Sequence, residues 1–136
     1  MKERQMMRVV ALLIAICWHI SPAIAQSNFC QQIDGAVIIS DSGDYLGKFA
    51  NQYDSNSIFN KFGTYGSKFQ SKSIWNDFGE NGSEYNPNSW RNKFSPTPPK
   101  VIKNGSVIAF LTVNKNVAGA INPIVVGAVC YDFDPE

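Results

Sequence analysis

The sequence predicts an α+β fold weighted towards β: a small antiparallel sheet drawn from both ends of the chain, with a 16-residue repeat of short helical turns and glycine turns inserted between its halves. Three observations predict it. Residues 44–95 keep equivalent residue types at a constant step of 16. Short β-branched runs with hairpin turn signals flank that stretch, at 35–49 and 100–113. Two cysteines, Cys30 and Cys130, lie near the two ends of the remaining chain.

The first 25 residues have the pattern of a secretory signal peptide. Lys2, Arg4 and Arg8 form a basic start, residues 9–20 an apolar segment, and Ala23-Ile24-Ala25 a small-x-small cleavage site. The apolar segment is short for a membrane span. Cleavage after Ala25 would leave a single domain, residues 26–136, with no membrane anchor and a secreted or periplasmic location. Removing three bases and one acid from a chain of formal charge +1 leaves −1. A nearly neutral chain with interspersed charges lacks the basic footprint that nucleic acid or anionic lipid requires. In an oxidising compartment Cys30 and Cys130 are expected to form a structural disulfide. Closing a loop of that length constrains the unfolded chain by roughly 4–5 kcal/mol.

Residues 26–34 form a lead-in. Residues 35–40 read as a strand, 41–44 as a polar turn and 45–49 as the returning strand, which feeds straight into the repeat. The repeat spans about 44–95, with the unit Asn-x-Phe-Gly-x-x-Gly-Ser-x-aromatic-x-x-x-Ser-Ile/Trp-x. Leu46, Phe62, Phe78 and Phe94 make one column; Tyr53, Phe69 and Tyr85 a second; Ile58, Ile74 and Trp90 a third; Phe59 and Trp75 a fourth, ending at Arg91. Segments 54–62, 70–78 and 86–94 start on capping residues, and the first two end just before a glycine, so a helix of one or two turns per unit is expected. A β-arc per unit is the alternative. A unit this short cannot bury its own apolar face, so stacking is expected to turn the aromatic columns into an internal spine.

Residues 95–100, Ser-Pro-Thr-Pro-Pro-Lys, form a stiff exit. Asn104-Gly105 then marks a hairpin between 101–103 and 106–113. Residues 107–113 are apolar at both alternating sets, which predicts a strand covered on both faces. Residues 124–131 read as a final strand carrying Cys130, so that a disulfide would hold the first and last strands together.

Tyr45-Leu46-Gly47-Lys48, the Ser-Ile-x-Asn-x-Phe-Gly units and Leu111-Thr112-Val113-Asn114 give the chain a likeness. It resembles a family of small secreted bacterial repeat proteins with units of the form Ser-Ile-x-Asn-x-Tyr-Gly-x-Tyr-Gly-Ser-x-Tyr, commonly followed by a Pro-Pro segment and a hairpin. The likeness covers about residues 43–114. It departs from the family in using Phe for several tyrosines and Asn81 for one aromatic. It implies a bacterial origin and a shared architecture, and supplies neither an activity nor catalytic residues.

The one histidine, His19, falls in the leader, so the processed chain has no histidine for a Ser-His-Asp or Cys-His mechanism or for a metal site. Asp77, Glu80 and Glu84 cluster in one unit, but their column mates are Lys61, Thr64 and Lys68. That alternation reads as a solvated face with ion pairs between units rather than as a carboxylate pair in a cleft. The oxygen-rich stretches 41–44 and 54–56 lack the spacing of a calcium loop and read as turns. No cofactor or metal is expected.

These observations point to a non-enzymatic binding module at the cell envelope, with a protein or glycan as partner. A carboxylate-dependent hydrolase of envelope polymers and a structural accessory subunit are the alternatives. The candidate ligand-binding residues are Tyr65, Trp75, Tyr85 and Trp90, as large amphipathic anchors, with the amides of Asn60, Asn76 and Asn92 beside them. The asparagines have a simpler reading as backbone caps.

Overall fold

The computed structural model describes residues 22–136. The predicted leader lies outside the described residues except for 22–25, which open helix α1 (Pro22–Ile33). Strands β1 (Val37–Ile39) and β2 (Tyr45–Lys48) form the first hairpin, and β3 (Lys100–Lys103) and β4 (Ser106–Leu111) the second. Asn104 and Gly105 take φ of 52° and 77°, which is why an Asn-Gly pair turns this hairpin. A two-residue strand β5 (Ala120–Ile121) and helix α2 (Pro123–Cys130) follow.

The sheet order is β2-β1-β3-β4-β5. β1 pairs antiparallel with both β2 and β3, Ile38 opposite Val101, so the two ends of the chain do build one sheet. β5 runs parallel to β4, which makes the sheet mixed rather than wholly antiparallel. Its buried face carries Ile38, Leu46, Val101, Ala109 and Leu111. β4 is covered on both faces only at its end: Val107 and Ile108, expected inside, are exposed.

Residues 124–131 are not a strand. Asn122 caps α2 by accepting the Ile124 N–H at 2.9 Å, and Pro123 occupies the first helical position. Cap and proline outweigh the β-branched composition, whose strand preference depends on context. Cys30 and Cys130 are joined, with Cα atoms 5.4 Å apart, so the disulfide ties α1 to α2 rather than the first strand to the last.

Beyond β2, which its first residues form, the repeat contains neither helix nor strand among the described residues. Its backbone is a run of linked turns. The Asp54 carbonyl accepts from Ser57 N–H, the Ser57 carbonyl from Asn60, Asn60 from Gly63, Gly63 from Ser67, Ser67 from Gln70 and Gln70 from Ser73. From Ser57 to Ser73, four steps of three residues and one of four make the 16-residue period. The same bonds recur from Ser73 to Ser89. The helical turns expected here are displaced because local side chains take the N–H groups a helix would use. Ser57, Ser73 and Ser89, all fully buried, accept from the N–H two residues on, at 3.0–3.1 Å.

The four-residue step needs glycine. A Cβ on Gly66 would lie 2.0 Å from the Asn60 carbonyl oxygen, and one on Gly82 would lie 2.3 Å from that of Asn76. The run of turns is anchored at both ends. Ile58 N–H bonds the Lys48 carbonyl at 3.1 Å, which occupies part of the free edge of β2. Val113 N–H bonds the Trp90 carbonyl at 2.9 Å beyond the end of β4.

Candidate functional site

Two of the four columns form the expected spine. Ile58, Ile74 and Trp90 are buried, as are Phe59 and Trp75. Phe59 and Trp75, one unit apart, stand 6.4 Å centre to centre. Each indole reaches back one unit: Trp75 Nε1–H donates to the Ile58 carbonyl, and Trp90 Nε1–H to that of Ile74 at 2.7 Å. Trp75 and Trp90 are therefore core residues with their polar handle spent inside the protein, not surface anchors. Tyr65 is half-buried and packs edge-on against Tyr45 at 5.1 Å. Of the four aromatic candidates only Tyr85 is exposed.

The asparagine candidates serve the backbone. Asn60, Asn76 and Asn92 each donate through Nδ2 to a carbonyl six residues earlier, at 3.1–3.2 Å. Each also accepts, through Oδ1, the N–H of the phenylalanine two residues later, at 2.9–3.1 Å.

The other two columns, apart from Leu46, which is buried in β2, are turned inside out relative to expectation. Phe62, Phe78 and Phe94, with Tyr53, Phe69 and Tyr85, are between 74% and 100% exposed. A single exposed aromatic would need no explanation, but six at regular spacing do. Their placement follows from the turns. The N–H of every one of the six is held by a side-chain oxygen two residues earlier: Asn51, Asn60, Ser67, Asn76, Ser83 and Asn92 in chain order. Each aromatic is thus presented from a backbone position that is fixed locally. Asn or Ser two residues before an aromatic marks a turn corner in the sequence, but not the side it faces: Ser57 and Ser73 hold the N–H groups of Phe59 and Trp75 in the same way, and those two rings are buried.

Members of the two exposed columns border common depressions. Phe62 and Phe69 wall a depression of about 360 Å³ floored by Trp75 and Phe133, with Lys61 and Lys68 at its rim. Tyr85, one unit beyond Phe69, and Phe94, two units beyond Phe62, border a depression of about 500 Å³ with Glu84, Arg91 and Lys93. Arg91 takes the place in its unit that Trp75 holds in the preceding one, and burial lowers its pKa.

The acidic cluster is exposed. Asp77 pairs with Arg91, and Glu80 accepts from Asn88 Nδ2 at 2.7 Å. The ion pairs expected between column mates, Lys61 with Asp77 and Lys68 with Glu84, are not among those of the described residues, which join Lys48 to Asp54, Arg91 to Asp77 and Lys100 to Asp41. The oxygen-rich turns are likewise occupied: Asp41 by Lys100, and Asp54 by Lys48 and the Asn56 N–H. Among the described residues no group of three His, Cys, Asp or Glu is placed to hold a metal ion, and no helix is long and apolar enough to cross a membrane.

Comparison of the chain with protein-family models, curated proteins and solved structures finds no match.

Proposed function

We propose that this chain is a secreted or periplasmic, non-enzymatic interaction module of the bacterial envelope, and that it binds through the face bearing Phe62, Phe78 and Phe94. The observation that carries the reading is the exposure of two aromatic columns whose backbone is fixed by side-chain hydrogen bonds. Aromatic rings cost little conformational entropy when they are immobilised and give large contact area. An exposed apolar area of this extent is a solubility burden unless something covers it. The disulfide fits an oxidising compartment. The repeat likeness adds an expected architecture and no activity. Against the hydrolase alternative stand the pairing of Asp77 with Arg91 and the exposure of Glu80 and Glu84, because a general acid needs a sheltered carboxyl opposite a second one.

The test is retention from envelope extract and on envelope polysaccharide, comparing the exported protein with a Phe62→Ser/Phe78→Ser/Phe94→Ser variant. These side chains contribute little to the core, so the variant is expected to fold with an unchanged circular dichroism spectrum and to lose the partner. A partner retained equally by both proteins would move the binding face elsewhere. If the parent retains nothing and does not self-associate, the interaction reading is overturned.

A further inference from the structure

The charges around the aromatic face are segregated by unit. Residues 57–76 carry Lys61, Lys68 and Lys72 and no acid; residues 77–86 carry Asp77, Glu80 and Glu84 and no base. All six are exposed. Within one molecule this complementarity is only partly used: Asp77 pairs with Arg91 and Glu80 accepts from Asn88, neither with a lysine of the preceding unit. Lys68 and Glu84, column mates one unit apart, take part in none of the ion pairs among the described residues. Lys61 donates only to the main-chain oxygen of Glu136 and lies 5.6 Å from the centre of the Phe133 ring.

Resting on the interaction reading above, we propose that the occupant of this face is a second copy of the same chain, packed antiparallel about a two-fold axis that passes between the lysine unit and the acidic unit. Such an axis lies in the interface and turns each column end for end. Phe62 then meets Phe78 of the second copy and Phe69 meets its Tyr85. Lys61 meets its Asp77 and Lys68 its Glu84. Because the interface is isologous, every one of these pairings occurs twice. The opposite choice, an axis along the stack, sets each unit against its own equivalent, lysines on lysines and acids on acids, which is repulsive throughout. An axis through the acidic unit also opposes like charges. The charge order thus selects the antiparallel orientation, and among its registers this one brings two unlike pairs together, whereas one centred between Asp77 and its other column mate, Lys93, brings only that pair within the repeat. The aromatic columns supply the apolar area, and the depression between Phe62 and Phe69 can receive a ring from the second copy.

Sedimentation velocity on the exported, disulfide-bonded protein, from micromolar to millimolar concentration, tests this. The expected result is a concentration-dependent dimer that weakens with added salt. Phe78→Ser and Lys68→Glu should each raise the dissociation constant at least about tenfold. The double variant Lys68→Glu/Glu84→Lys should return it close to the parental value, because the swap recreates both cross-copy pairs. A protein that stays monomeric over this range overturns the proposal, as does a dimer indifferent to Phe78→Ser and Lys68→Glu or a charge swap that does not rescue. If the parent is monomeric yet retains an envelope component that Phe78→Ser loses, the second copy is excluded and the interaction reading stands. If it is monomeric and retains nothing, both fall.

Discussion

The sheet and the turn repeat solve the same problem in opposite ways. In the sheet, neighbouring strands satisfy the backbone and one face points inward: Ile38, Leu46, Val101 and Leu111 are all buried. In the repeat, each turn satisfies its own backbone with help from Ser and Asn side chains, and most of the phenylalanines point outward. A strand has two faces, and burial of one decides its register. A linked run of turns has several corners per unit, and the same local bond forms the inward ones at Phe59 and Trp75 and the outward ones at Phe62 and Phe78. Periodicity therefore shows which positions are equivalent without showing which are inside.

Truncating one buried and one exposed aromatic of the repeat should give the largest difference. Trp75→Ala removes a buried indole that bonds the preceding unit, and should cost about 3–5 kcal/mol in urea unfolding. Phe78→Ser, three residues later and 99% exposed, should change stability by no more than about 0.5 kcal/mol. Equal costs would mean that the exposed columns carry stability and that the inside-out description is wrong.

Glycines give the next contrast. Gly66→Ala places a Cβ 2.0 Å from the Asn60 carbonyl oxygen, with no flexible side chain to yield, and should cost on the order of 3 kcal/mol or more. Gly105→Ala in the sheet hairpin meets nothing within 4 Å and pays only for φ of +77°, about 1–2 kcal/mol. If the order reverses, the four-residue step is plastic and the period does not depend on it.

Asn76→Ala is a smaller test of the same region. It removes an acceptor for Phe78 N–H and a donor to the Gln70 carbonyl, both exposed, for about 1 kcal/mol. Its more informative readout is local: faster hydrogen exchange at Phe78 N–H, with the sheet amides unaffected.

How far the sequence could be read follows from this division. The two hairpins were legible because Asn104-Gly105 and the flanking β-branched runs are local signals with one structural meaning. The disulfide was legible from compartment and cysteine count, but not what it joins. Helix α2 was misread as a strand because Ile124, Val125, Val126 and Val129 favour strands, while the decisive Asn122-Pro123 start lies just before them. The repeat was legible as a period. Its turn geometry was obscured because Asp, Asn and Ser cap helices and close turns with the same side-chain bonds. The candidate site is the least legible part: the amphipathic rings of Trp75 and Trp90 suit surface anchors, and nothing local distinguishes an indole N–H that meets a partner from one that meets a carbonyl one unit back.

The seam between the two regions gives the smallest effect. Lys48, in β2, and Asp54, in the first turn of the repeat, form an ion pair at 2.7 Å. The hydrogen bond with Lys48, then that from the Asn56 N–H, lowers the Asp54 pKa from its ordinary 3.8. A carboxylate whose folded pKa is depressed stabilises the protein above its unfolded value, and that contribution is lost as pH falls through the folded value. Lys48 is raised from 10.5, chiefly by its bond to Asp54, so its share is present below that pH and fades as pH rises through the folded value. Asp54→Asn keeps an oxygen for Asn56 N–H and removes the charge. Urea midpoints of parent and variant should therefore differ slightly at pH 7 and converge as pH drops below 3.8, where the parent carboxylate also becomes neutral. A constant difference across that range would place the effect in the turn rather than in the ion pair. No difference at any pH would mean that the seam is held by the backbone bonds of Lys48 with Asn56 and Ile58 alone.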